Sequence, residues 1–120
     1  MRLSQSDFEI IQHVKYFLEK EYKYQHTHAQ LARRFHINES KLRKGFAFVY
    51  QTAIYEYQVS IRIETAKELL ADTDDPVKAI AYKVGYTIKS LEKQFKSITG
   101  MSPLEWRKTY SSFYTRKIVA

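Results

Sequence analysis

The chain has no cysteine, only two prolines, at positions 76 and 103, and only three glycines. Without cysteine there can be no disulfide framework, no cysteine-ligated zinc and no thiol catalysis. Both prolines stand where a helix should begin, so nothing interrupts helical segments internally, and strand signals are weak. Long apolar runs are also missing. The longest aromatic-aliphatic stretch, Phe46 to Tyr50, is far too short to cross a bilayer, and the opening MRLSQSDFEI lacks the apolar core of a signal peptide. The expectation is a soluble, cytoplasmic protein with no membrane contact. Acidic residues are the minority sign: 13 Asp and Glu against 20 Lys and Arg leave a net charge of +7, which favours a polyanionic partner. With 44% hydrophobic residues among 120, the chain can bury a core without a disulfide or metal staple.

What is present reads as helix after helix. Ser6 and Glu9 have capping-box spacing ahead of an apolar stripe of Phe8, Ile11, Val14, Leu18 and Tyr22, predicting a packing helix over about 7–22. Thr27 and Gln30 form a second box and open a short helix holding Leu31, Ala32 and Phe35. After Asn38 a helix should run to about Tyr50, and a long one should occupy Ala53 to Ala71, ended by Asp72 through Asp75. Asp75 or Asp74 is expected to cap the next short helix, with Pro76 in its first turn. Gly85 then supplies a turn, Thr87 caps the following helix and Gly100 ends it. Ser102-Pro103-Leu104-Glu105 starts the last one. The tail, 109–120, is aromatic and basic.

Within this series one unit occurs twice. Residues 31–46 and 80–95 align without a gap at an offset of 49: only Ala32/Ala81, Leu42/Leu91, Lys44/Lys93 and Phe46/Phe95 are identical, yet apolar slots match throughout. Each copy spells short helix, tight turn, capping residue, second helix, the layout of a helix-turn-helix. A helix advances about 100° per residue, which sorts the faces. Leu42, Phe46 and Val49 share one face of the first copy's second helix, and Leu91, Phe95 and Ile98 that of the second; both triplets are expected in the core. Opposite them lie Ser40, Arg43, Lys44 and Ala47 in one helix, and Lys89, Glu92, Lys93 and Lys96 in the other.

These faces suit the major groove of DNA. Arg43 can donate two hydrogen bonds to guanine O6 and N7, and a lysine presents a point charge to guanine or phosphate. The small Ser40 and Ala47 permit close approach, and Ala47 suits a thymine methyl. Asn38 and Thr87, at helix N-termini, can cap their helices and position a phosphate. Glu92 is the exception on a DNA-facing surface. Either it accepts from cytosine N4 or it pairs with Lys96 four residues on, and the ion pair is the reading adopted from sequence. A helix from Ala53 to Ala71 would span roughly 28 Å at about 1.5 Å per residue, close to the roughly 34 Å turn of DNA. Two recognition helices in successive major grooves of a non-palindromic site are therefore expected.

With these residues in view, the chain resembles the DNA-binding domain of the AraC/XylS family of bacterial transcription regulators over about residues 8–108. The most specific stretch is Ile80-Ala81, Val84-Gly85-Tyr86, Phe95-Lys96, Thr99-Gly100, Ser102-Pro103 and Trp106-Arg107. Arg62-Ile63, Ala66-Lys67 and Leu69-Leu70 resemble the family's linker helix. The resemblance implies an all-α fold of about seven helices, with two helix-turn-helix lobes (about 7–52 and 74–108) joined by a long helix (about 53–71). It also implies transcription regulation, usually activation through RNA polymerase, and base reading from the places of Ser40, Arg43, Lys44, Lys89, Glu92 and Lys93. The sequence departs from the pattern at His36, where the family's turn usually has Gly, at Gln51, where a helix-ending Gly is common, and at Gly45, which weakens its helix by up to ~1 kcal/mol relative to Ala.

No cofactor, metal or catalytic activity is expected. His26 and His28 lie two apart in a probable loop without an acid cluster beside them, and read as solvent-exposed or supporting residues. The segment contains no recognisable sensor domain, so a small-molecule effector is not expected to bind within it; a short stand-alone regulator and the output domain of a larger one both fit. The rival functional class is a helix-turn-helix scaffold whose basic faces dock an acidic protein partner.

Overall fold

The computed structural model describes residues 2–112, and the aromatic and basic tail from residue 113 on lies outside the described residues. These residues form seven helices and no strand: α1 (Gln5–Lys20), α2 (His28–Arg34), α3 (Glu39–Tyr50), α4 (Ile54–Asp72), α5 (Val77–Lys83), α6 (Ile88–Thr99) and α7 (Pro103–Tyr110). None of them is long and apolar enough to cross a membrane. The chain divides into two compact units, residues 1–60 and 61–120, and the division falls inside α4.

In the first unit, α1 starts two residues earlier than the periodicity predicts. Ser4, not Ser6, is the N-cap: its hydroxyl accepts from Asp7 N at 3.0 Å, and its own N–H donates to Asp7 Oδ2 at 3.1 Å. That N–H bond holds the Asp7 carboxyl below its ordinary pKa. Ser4/Asp7 and Ser6/Glu9 have the same spacing, but only Asp7 also reaches Lys41 on α3, at 3.3 Å. The helix correspondingly ends at Lys20, leaving Tyr22 outside it. Ile11, Val14 and Leu18 are wholly buried, whereas Phe8 at the start of the predicted stripe is 36% exposed. Thr27 and Gln30 form the predicted reciprocal box. Leu31, Ala32, Leu42, Phe46, Ile54 and Val59 complete the core.

In the second unit, Ile63, Ala66 and Leu70 of α4 share a core with Ile80, Ala81, Val84, Leu91 and Phe95. Ile61 and Leu69 of the same helix are half-buried. The expected aspartate cap of α5 is absent: Pro76 is the N-cap and no side chain caps the helix. Asp75 accepts from Lys83 Nζ at 2.8 Å, a longer-range partner that removes it from capping. Ser102 and Glu105 cap α7 reciprocally with Pro103 in its first turn, and Thr109 and Tyr110 of the predicted tail are its last residues. Arg107 donates from Nε to Leu70 O (3.1 Å) and from Nη2 to Thr73 O (3.3 Å), tying α7 to the C-terminal carbonyls of α4.

Candidate nucleic-acid interface

The two helix-turn-helix units are built in one register. α2 and α5 have seven residues each, α3 and α6 twelve each, and every boundary repeats at the sequence offset of 49. Within each turn the same hydrogen bond recurs: Ile37 N donates to Ala32 O (3.0 Å) and Tyr86 N to Ala81 O (2.8 Å). This turn needs a left-handed residue, which is Gly85 (φ 86°) in the second copy and His36 (φ 53°) in the first. The second helices of the two units end alike, on left-handed Gln51 (φ 58°) and Gly100 (φ 79°). The departures from the family pattern therefore keep the glycine conformation without the glycine. Gln51 offsets part of that strain by donating its amide to Phe48 O at 2.8 Å.

Both capping residues do what the sequence predicts of caps. Asn38 accepts from Lys41 N and Thr87 from Ser90 N, each at 3.0 Å. Beneath the exposed faces of α3 and α6, Leu42, Phe46, Leu91 and Phe95 are fully buried. The outer members of the predicted core triplets, each in the last turn of its helix, are not: Val49 is half-buried and Ile98 is 49% exposed. Gly45 is buried for a reason that periodicity does not reveal. An added Cβ there would stand 2.6 Å from Ile11 Cδ1, so the glycine is what lets α1 lie against the back of α3.

Each predicted reading residue is exposed: Asn38, Ser40, Arg43, Lys44 and Ala47 in the first unit, and Thr87, Lys89, Glu92, Lys93 and Lys96 in the second. Ion pairs elsewhere join Lys15 to Glu19, Lys41 to Asp7, Lys67 to Glu64 and Lys83 to Asp75. Arg43, Lys44, Lys89, Glu92, Lys93 and Lys96 make no ion pair or side-chain hydrogen bond among the described residues. The expected Glu92–Lys96 pair is thus not formed, consistent with the small gain of an exposed i,i+4 pair against the entropy of two long side chains.

Several positioning residues carry no local sequence signal. Arg62 is only 6% exposed and lies over the Tyr86 ring at 4.8 Å, bracing the second turn. Gln58, 5% exposed, accepts from His26 N and donates to His26 O, both at 3.0 Å. His26 also packs on Phe17 and its Nε2 lies 2.9 Å from Glu21 O, so this histidine belongs to the scaffold. His26 and His28 are half-buried, not solvent-exposed. A polar residue at a core-facing helical position, as Gln58 and Arg62 are, was the one available hint.

A helix-turn-helix domain model matches residues 31–109. The HTH-type transcriptional regulator YisR of Bacillus subtilis is 31% identical over 79% of this chain, and a putative AraC-like transcription regulator of Streptomyces antibioticus is 33% identical over 77%. The chain spans about a third of the length of each, 33% and 31%. Among solved structures, the C-terminal domain of AraT, a response regulator from Geobacillus stearothermophilus, superposes with a TM-score of 0.82 at 26% identity, covering 92% of this chain and 90% of that one. The DNA-binding domain of AdpA, solved in complex with a target DNA, has the same fold, with a TM-score of 0.79 at 21% identity over 92% of this chain and 97% of its own. A duplicated helix-turn-helix in one register, matched across both copies, makes this chain a member of the AraC/XylS family of helix-turn-helix domains.

Proposed function

We propose that this chain binds double-stranded promoter DNA sequence-specifically and regulates transcription, with α3 and α6 as recognition helices in successive major grooves. The observation that carries this reading is the duplicated helix-turn-helix in one register, each copy exposing an outer face of its second helix on which Arg43 and Lys44, or Lys89, Lys93 and Lys96, stand. A net charge of +7 supplies the attraction to phosphate. Arg43 reads guanine, Ser40 and Ala47 allow close approach, and Lys44, Lys89, Lys93 and Lys96 hold phosphates or guanine edges. Asn38 and Thr87 place helix N-termini toward the backbone. The two faces share only the lysine at 44 and 93, so the site consists of two unlike elements without palindromic symmetry. In this reading RNA polymerase is the protein partner through which regulation is exerted.

Salt-titrated binding to a selected duplex and to random duplex tests the reading. Log affinity should fall with log salt with a slope of several units, about −0.9 per phosphate contact. Arg43→Ala should cost ~1–3 kcal/mol on the selected site and relax preference at one base pair. Binding no tighter than that of an unrelated protein of equal charge would favour an acidic protein as the partner.

A further inference from the structure

We infer that Glu92 is a specificity-determining residue that selects cytosine in the half of the site read by α6. This rests on the proposed DNA reading and assigns a base to a side chain that is otherwise an obstacle to it. Glu92 is exposed, one of four residues at i, i+3, i+4 and i+7 spacing that include Lys89, Lys93 and Lys96. Three ammonium groups are thus available on its own helix, and it pairs with none of them among the described residues.

The repeat gives Glu92 its meaning. At the offset of 49 it is the counterpart of Arg43, on helices of equal length with equivalent caps and equivalent buried anchors at 42/91 and 46/95. Arg43 can only donate hydrogen bonds; ionised Glu92 can only accept them. The major groove offers two donors, adenine N6 and cytosine N4. Adenine places the acceptor N7 beside its donor, which repels a carboxylate, and cytosine does not. Thymine and guanine present acceptors and are rejected outright. The lysines around Glu92 neutralise the phosphates flanking that base pair, which offsets the repulsion a carboxylate would otherwise meet.

Selection of bound duplexes from a random pool, run in parallel on the wild type, Glu92→Gln and Glu92→Ala, tests this. The wild type should enrich a cytosine at one position of the α6 half. Glu92→Gln, which keeps the shape but adds donors suited to adenine N6 and N7, should move that position to adenine and leave the others unchanged. Glu92→Ala should make it degenerate, with binding to random duplex equal or tighter. Exchanging the preferred base should weaken the wild type about 5- to 100-fold. Unchanged preference in both variants overturns the inference while leaving the DNA reading intact; absence of any enriched sequence for the wild type overturns the DNA reading itself. Unchanged circular dichroism and melting of the variants, expected for an exposed side chain, keeps either outcome interpretable.

Discussion

Ile11 of α1 presses onto α3 at Gly45, with its Cδ1 where 2.6 Å would separate it from any Cβ at that position. Ile11 is wholly buried, so any shift it makes to admit a Cβ must be accommodated within the core. Glycine inside a helix costs up to ~1 kcal/mol relative to alanine, whereas overfilling a packed core costs ~1–3 kcal/mol. Gly45→Ala should therefore destabilise the first unit despite its better propensity. Ile11→Val removes the obstructing methyl, so the double variant should be more stable than the sum of the single changes by more than about 0.5 kcal/mol in denaturant melts.

The left-handed positions make a matched pair of tests. Gly100 has φ 79° and nothing within 4 Å of an added Cβ, so Gly100→Ala should lose about 1 kcal/mol from backbone strain alone. His36 holds φ 53° without being glycine, and His36→Gly should gain a few tenths to about 1 kcal/mol in thermal or chemical unfolding.

Arg107 belongs to the family-like C-terminal stretch, but both of its hydrogen bonds go to carbonyls at the end of α4. Its effect should appear in stability. Arg107→Ala should lower unfolding free energy by about 1.5–3 kcal/mol, since charged donors to buried acceptors are worth that much, and leave the salt slope of DNA binding unchanged. A shallower slope would make it a phosphate contact.

Glu19 joins α1 to α4 by accepting from Tyr57 OH at 2.8 Å and Lys15 Nζ at 3.1 Å. Burial pushes its carboxyl up, but these two donors outweigh burial and leave it below its ordinary pKa of 4.5. Its contribution to stability is thus full above that value and lost as pH falls through the lowered one. Lys15, raised chiefly by its bond to Glu19, contributes below its ordinary 10.5 and loses that contribution as pH climbs through the raised value. Glu19→Gln should reduce stability by less than about 1 kcal/mol at neutral pH, the group being partly solvated. Wild type and variant should converge in acid unfolding curves once Glu19 is protonated.

The outward faces of α3 and α6 were legible from sequence because a helix with buried Leu42 and Phe46 must turn Ser40, Arg43, Lys44 and Ala47 outward, and a second copy must do the same. Misreadings came where two local solutions competed. Ser4 and Ser6 both had a partner three residues on, and only the contact of Asp7 with Lys41 distinguishes them. Asp75 had the position of a cap but also lay within reach of Lys83, which periodicity does not report. Val49 and Ile98 continue the apolar stripe into the last turn of each helix, where it is only partly covered.

Helix order, capping at Thr27, Asn38, Thr87 and Ser102, the offset of 49 and the composition of both outer faces were determined by sequence alone. Each depends on residues within one or two helical turns of each other, where spacing is geometry. Tertiary structure alone decided that Gly45 makes room for Ile11, that Arg62 braces Tyr86 and that Arg107 closes the end of α4. Those relationships join residues 24 to 37 positions apart, where contact depends on how packed helices meet and no periodicity carries it.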